Sequence, residues 1–109
     1  MANTFKLKTK ANVGVTTVGI YTAPASTTTV VIGITLANTS GSGVNVGVGI
    51  TRAGATEDVK LLKNAPIPQG SSLEFMAGNK VVLEATDTLT VDSDANNRVD
   101  TALTIMEIT

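Results

Sequence analysis

The stretch that decides the fold runs from residue 30 to residue 50. It reads Val30-Val-Ile-Gly-Ile-Thr-Leu-Ala37, then Asn38-Thr-Ser-Gly-Ser-Gly43, then Val44-Asn-Val-Gly-Val-Gly-Ile50. Apolar residues occupy positions 30, 32, 34 and 36, and again 44, 46, 48 and 50. A period of two is that of a strand with one buried face, and it cannot form one face of a helix. Because the glycines between the two runs can adopt the positive φ of a turn, the stretch predicts a β-hairpin.

The rest of the chain continues in short strand-like segments separated by turn signals. Candidate strands cover residues 13–21, 59–62, 73–77, 81–84, 89–91 and 99–108. No segment has convincing helical periodicity. The sequence therefore predicts an all-β protein: a single antiparallel β-sandwich of jelly-roll or immunoglobulin-like type, with about seven to nine short strands.

The first twelve residues are distinct from the rest. Phe5 and Leu7 alternate there with Lys6, Lys8 and Lys10. Lysines along one side of an extended segment discourage further strand pairing and suit an edge strand. We therefore expect residues 1–12 to be an N-terminal arm or edge strand, and residues 13–109 to form the sandwich domain.

Three later segments are predicted to be turns or loops. Residues 52–58 and 77–80 carry turn signals, and residues 64–72 read Asn64-Ala-Pro-Ile-Pro-Gln-Gly-Ser-Ser72. Proline lacks an amide donor, so this last segment is expected to cross outside the sheet while Ile67 docks into the core.

The composition argues against an enzyme. The chain of 109 residues contains no cysteine and no histidine, so it lacks the usual neutral-pH base and the commonest metal ligand. We expect no catalytic residues and no cofactor. Eight basic residues with a net charge of −1 do not favour nucleic acid as a partner. The longest apolar run is far shorter than the roughly 20 residues of a membrane helix, and no membrane partner is expected.

Low charge favours a subunit of an assembly over an ordinary monomeric β domain. Only 16% of the residues are charged, against about 25% in typical domains. The closing strand is apolar on both faces, with Leu103 and Ile105 on one and Met106 and Ile108 on the other, so one face is expected to contact a neighbour. The candidate partner-interface residues are Phe5, Leu7, Gly47, Gly49, Met106 and Ile108. The two glycines either permit close approach of a partner or only smooth the surface.

Oxygen ligands recur in the polar tip before the last strand and at the start of that strand, namely Asp92, Asp94, Asn96 and Asp100. A calcium loop of the EF-hand type needs glycine at its sixth position and glutamate at its twelfth, where this chain has Asn97 and Leu103. We therefore expect a surface hairpin tip and no metal site.

Two stretches carry a resemblance to a known class of proteins. The first is Tyr21-Thr-Ala-Pro-Ala-Ser-Thr-Thr-Thr29 with the alternating strand that follows it and ends in Ala37-Asn-Thr39. The second is Asn64-Ala-Pro-Ile-Pro-Gln-Gly-Ser-Ser-Leu73 with Asn79-Lys-Val-Val-Leu-Glu-Ala-Thr-Asp-Thr-Leu-Thr-Val91. The chain from about residue 17 onward resembles small β-sandwich virion structural proteins of tailed bacteriophages.

The resemblance implies a structural role in a phage particle. The expected function is that of a capsid decoration or cement protein that binds the outside of the assembled head and stabilises it. A tail, neck or fibre component, with loops that contact a host receptor, is the alternative. The implied partners are further copies in a homotrimer and the major capsid protein or other virion proteins. The implied location is the virion, assembled in the host cytoplasm.

Overall fold

The computed structural model of the protein describes residues 3–52, 58–75 and 80–109. Within these ranges it contains no helix long and apolar enough to cross a membrane. The described residues form nine strands: β1 (Asn3–Val13), β2 (Val18–Thr22), β3 (Thr28–Asn38), β4 (Val44–Thr51), β5 (Asp58–Ile67), β6 (Ser72–Phe75), β7 (Val81–Leu83), β8 (Thr88–Ser93) and β9 (Val99–Ile108).

The strands form two antiparallel sheets. Sheet A has the order β1-β9-β3-β6, and β7 pairs with β3 beside β6; sheet B has the order β2-β8-β4-β5. Because β6 and β7 lie along one flank of β3, they occupy the place of a single interrupted strand. The pairs are then nested: β1 with β9, β2 with β8, β3 with β6 and β7, and β4 with β5. This nested pairing across two sheets is the jelly roll, one of the two predicted types of sandwich.

The predicted hairpin at residues 30–50 is wrong, although both of its strands exist. β3 lies in sheet A and β4 lies in sheet B, so the chain crosses between the sheets at residues 39–43. Asn38 fastens this crossing from a buried position, because its Nδ2 donates to the carbonyl oxygens of Ser42 at 2.8 Å and Ile67 at 3.0 Å. Its Oδ1 accepts from the Ser40 amide at 2.9 Å.

The predicted loop at residues 64–72 is wrong in its first half. β5 continues through Pro66 to Ile67, because it is the edge strand of sheet B and an edge tolerates a residue without an amide donor. Ile67 is 1% exposed, which confirms that it docks into the core. Most of the predicted turns at residues 52–58 and 77–80 lies outside the described residues.

The core lies between the inner faces of the two sheets. β9 shows how the period of two produces it, because the inward positions of that strand are all buried and the residues between them are more exposed. Val99, Leu103 and Ile105 are each 0% exposed. They pack with inward residues of both sheets, including Val31 and Leu36 of β3 and Val46 and Val48 of β4.

Shortening a buried leucine should cost much more than shortening an exposed one. Leu103→Ala should lower the free energy of unfolding by about 2–5 kcal/mol, because it leaves a cavity at the centre of sheet A. Leu7 is 65% exposed, so Leu7→Ala should change it by no more than about 0.5 kcal/mol. Urea denaturation of both variants checks this, and equal losses would contradict the assigned register of β1.

Candidate partner-binding face

The outer face of sheet A carries a row of apolar side chains that crosses four strands. Phe5 of β1 lies opposite Met106 of β9, Met106 lies opposite Val30 of β3, and Val30 lies opposite Val82 of β7. Residues directly opposite in adjacent strands point to the same face. These four residues, here called the apolar row, therefore form a line about 15 Å long at the usual strand spacing.

The two ends of the apolar row project into solvent. Phe5 is 68% exposed and Val82 is 55% exposed, whereas Met106 and Val30 between them are half-buried. Leu7 and Ile108 occupy neighbouring outward positions on β1 and β9. Six apolar side chains thus share one end of this face.

The opposite end of the same face is lined by small side chains. A shallow depression of about 310 Å³ lies there, bordered mainly by alanine and threonine residues of β1, β3 and β9. Among the described residues, the outward positions of sheet A carry only two charged side chains, Glu74 and Asp100. Both lie away from the apolar row, so a partner can cover the row without burying a charge of this face.

The outer face of sheet B has the opposite character. Its threonines and charged groups bond to one another: Thr17 Oγ1 donates to Asp92 Oδ2 at 2.9 Å, and Thr22 and Thr88 join their hydroxyls at 2.9 Å. Lys60 Nζ lies 3.6 Å from Asp92 Oδ2. This face satisfies its polar groups within the chain and presents them to water.

Gly47 and Gly49 belong to sheet B and are buried by their own neighbours. A Cβ at Gly47 would lie 2.5 Å from Asp92 Oδ1, and one at Gly49 would lie 2.9 Å from the Val59 carbonyl oxygen. These glycines make room for side chains and backbone of β5 and β8. The structure therefore places them apart from the other four predicted interface residues, Phe5, Leu7, Met106 and Ile108, which it brings together on sheet A.

The alternation over residues 30–36 predicts that Val30 faces the core, which is wrong, because Val31 is buried and Val30 points outward. The sequence also assigned Val82 no place on this face. Val30 belongs to the apolar run Val30-Val-Ile32, in which one of two consecutive apolar residues must point outward. That run was a usable signal. Val82 offered no comparable signal, because its place depends on the pairing of β7 with β3.

A buried polar cluster lies on the inner side of the same strands. Glu107 of β9 is 7% exposed, and its Oε1 lies 2.8 Å from Lys6 Nζ of β1. Tyr21 of β2, in the other sheet, donates its hydroxyl to Glu107 Oε2 at 2.5 Å. Thr29 Oγ1 of β3 lies 2.8 Å from the same tyrosine oxygen. The cluster ties β1 to the end of the sandwich and joins the two sheets.

The cluster shifts the pKa values of its acidic members in opposite directions. The hydrogen bonds from Lys6 and then from Tyr21 hold the pKa of Glu107 below its ordinary value of 4.5. Burial, followed by the hydrogen bond to Glu107, raises the pKa of Tyr21 from 10.0 to about 12. Both shifts favour an ionised carboxylate beside a neutral phenol, which is a stable structural arrangement near neutral pH.

Side chains of the polar tip before β9, and Asp100 at the start of β9, accept backbone amides of neighbouring segments. Asp100 Oδ1 accepts the Asn12 amide at 3.0 Å, and Asn96 Oδ1 accepts the Val15 amide at 3.1 Å. Asp94 Oδ1 accepts the Asn45 amide at 3.0 Å. Within the described ranges, no three acidic side chains gather closely enough to hold a metal ion.

Comparisons with known proteins show the fold. No protein-family profile matches the sequence, and no curated protein is significantly similar to it. The chain, a jelly-roll sandwich, is similar in fold to a chain from the disulfide-linked pili of Bacillus endospore appendages. That likeness has a TM-score of 0.57 at 18% identity and covers 99% of this chain and 87% of the other.

Two further neighbours come from viral particles. A chain of the T13 particle of infectious bursal disease virus has a TM-score of 0.61 at 12% identity, with 96% of this chain covered. A chain of the Gx strain of that virus has a TM-score of 0.54 at 14% identity, with 95% covered. This protein spans about a third of the length of each viral chain, 30% and 32% respectively.

The stability of the protein should fall more steeply at acid pH when Glu107 is present. Because its pKa is lower in the folded state, Glu107 stabilises the fold above pH 4.5 and loses that contribution as the pH falls below this value. Urea denaturation between about pH 3 and pH 7 should therefore show a steeper acid loss for the wild type than for Glu107→Gln. Glu74→Gln, an exposed change in the same sheet, should keep the wild-type slope. If the free energy of unfolding fell equally with pH in all three proteins, the lowered pKa of Glu107 would be contradicted.

Removal of metal ions should leave the melting temperature unchanged. The carboxylates of the polar tip already accept amide or hydroxyl hydrogens of the chain, and the tip lacks the closing glutamate of a calcium loop. Thermal unfolding with and without a chelator checks this. A drop of several degrees with chelator would identify a metal site and contradict the prediction.

Proposed function

We propose that the protein is a virion structural protein of a tailed bacteriophage, and specifically a capsid decoration protein that binds the outside of the assembled head. The observation that carries this proposal is the contrast between the two outer faces. Sheet B presents a polar face that satisfies its own groups, whereas sheet A presents the uncharged apolar row. A subunit fixed on a larger particle needs one face of each kind.

The fold supports the proposal. The sandwich is similar to chains of viral particles, and the sequence from about residue 17 resembles small phage virion proteins. Decoration would stabilise the head thermodynamically, because a protein that binds only the assembled capsid lattice shifts the assembly equilibrium toward it by mass action. We expect the protein to be a homotrimer, either free in solution or bound to the head. Its other partner would be the major capsid protein or another virion protein.

The likeness to the endospore pili favours a second candidate, a filament subunit. That comparison covers most of the pilus chain. The present chain has no cysteine, so its copies would have to associate without disulfide links. A tail, neck or fibre component is a related alternative within the phage particle.

The test is co-sedimentation of the purified protein with phage heads that lack it. Phe5→Ser combined with Leu7→Ser should weaken binding at least about tenfold, because burial of each such side chain contributes roughly 1.5–3 kcal/mol. Folding should survive, since both side chains are exposed in the free chain. Light scattering of the same samples reports the oligomeric state.

The matched control removes two exposed apolar side chains elsewhere. Val15 and Val59 are 55% and 43% exposed and lie off the apolar row, so Val15→Ser with Val59→Ser should bind like the wild type. A monodisperse monomer that ignores heads would overturn the decoration role. Copy number from quantitative mass spectrometry of whole particles separates a decoration, with many copies, from a single tail or neck ring.

A further inference from the structure

β1 is the longest regular edge strand in the described part of the molecule. β1 pairs only with β9, has 11 residues and contains no proline. Its register is continuous from residue 3 to residue 10. β2 has 5 residues, β6 and β7 have 4 and 3, and β5 contains Pro66 and register shifts in its pairing with β4. An added strand would find its longest hydrogen-bonding ladder on β1.

The two faces of β1 differ in chemistry. Lys6, Lys8 and Lys10 lie opposite Ile105, Leu103 and Thr101, which are buried, so the lysines occupy the inward face. Phe5 and Leu7 occupy the outward face and belong to the apolar end of sheet A. The edge is therefore cationic on one face and apolar on the other.

Two of the three lysines form no ion pair with the described residues. Lys6 pairs with Glu107 at 2.8 Å, whereas no ion pair to Lys8 or Lys10 occurs within the described ranges. Opposite charges in directly facing positions of adjacent strands attract, and like charges repel. Acidic residues on an added strand would find open partners in Lys8 and Lys10.

We propose that the free edge of β1 binds an extended segment in which acidic and apolar residues alternate. The backbone of the segment would continue sheet A, its acidic residues would face Lys8 and Lys10, and its apolar residues would extend the surface beside Phe5 and Leu7. The inference rests on the proposed function in taking this side of sheet A as the attachment surface. It adds the chemistry of the partner segment.

A second copy of β1 does not fit this edge. Antiparallel pairing about a two-fold axis centred on residue 6, 7 or 8 places Lys6 opposite Lys6, Lys6 opposite Lys8, or Lys8 opposite Lys8. Each of these pairs brings like charges together on the inward face. The lysines therefore disfavour that self-pairing and favour an acidic strand.

Fluorescence anisotropy with labelled peptides tests the proposal on the whole chain. A capped peptide of alternating glutamate and valine should bind, and the peptide of alternating lysine and valine should bind about tenfold more weakly or not at all. A glutamate–valine peptide with proline at two ladder positions should also lose binding, because it cannot complete the backbone ladder. Equal binding of the last peptide would reduce the interaction to charge attraction and overturn the proposal.

Charge reversal on the protein provides the second arm. Lys8→Glu with Lys10→Glu should invert the preference, so that the lysine–valine peptide binds better. Lys63→Glu with Lys80→Glu changes the net charge equally at exposed positions away from β1 and should keep the wild-type preference. Circular dichroism checks that each variant retains its β structure. An unchanged preference in the first variant would overturn the proposal.

The peptide experiment and the particle experiment test the two proposals separately. If the acidic peptide does not bind but the protein still co-sediments with heads, the edge inference is wrong and the proposed function stands. If the peptides behave as expected but heads are ignored, the edge specificity stands and the decoration role is wrong.

Discussion

The pairing of β9 with both β1 and β3 is the interaction on which the rest of sheet A depends. β9 aligns with β1 from Asn3 to Val13 and with β3 from Thr28 to Asn38. Its inward residues supply the centre of the core, and its outward residues supply the middle of the partner-binding face. A slip of one residue would exchange Lys6 with Phe5 on the two faces of β1. The register thus decides both the apolar row and the position of the lysines.

The buried cluster around Glu107 reinforces this register. Lys6 and Glu107 join β1 to β9 on the inward face, and Tyr21 brings in β2 of the other sheet. A charge in this position is costly unless its partners are in place, because a buried carboxylate left alone loses its hydration. The cluster therefore penalises any arrangement that moves Lys6 or Tyr21 away, and it keeps Phe5 and Leu7 directed outward. The buried cluster around Glu107 thus determines which side chains of β1 lie on the outer face of sheet A.

The sequence predicted the strands well and their partners poorly. A period of two reports that one face of a strand is buried, and it identifies the inward residues of β4 and β9. In β3 it is right for Ile34 and Leu36 and wrong for Val30, which points outward while Val31 is buried. It contains no information on which sheet a strand joins, so it predicts a hairpin of β3 and β4, whereas Asn38 turns the chain into the second sheet. The alternation within β1 and β9 predicts four of the six apolar residues on the outer face of sheet A. The sequence also predicts Gly47 and Gly49 as interface residues, because it does not show whether the space beside a glycine is filled by a neighbouring strand or left for a partner.

The pairing of β1 with β9 also sets the order of events during synthesis. Residues 3–13 leave the ribosome well before their partner strand, residues 99–108. Until that segment emerges, β1 has no ladder, one flank of β3 is bare, and the inward side chains of sheet A stay exposed to water. Contacts between such distant parts of a chain form slowly. Sheet A therefore closes only when translation has passed residue 108, and a nascent chain arrested earlier presents unpaired strands, which are prone to aggregation, in place of a fold.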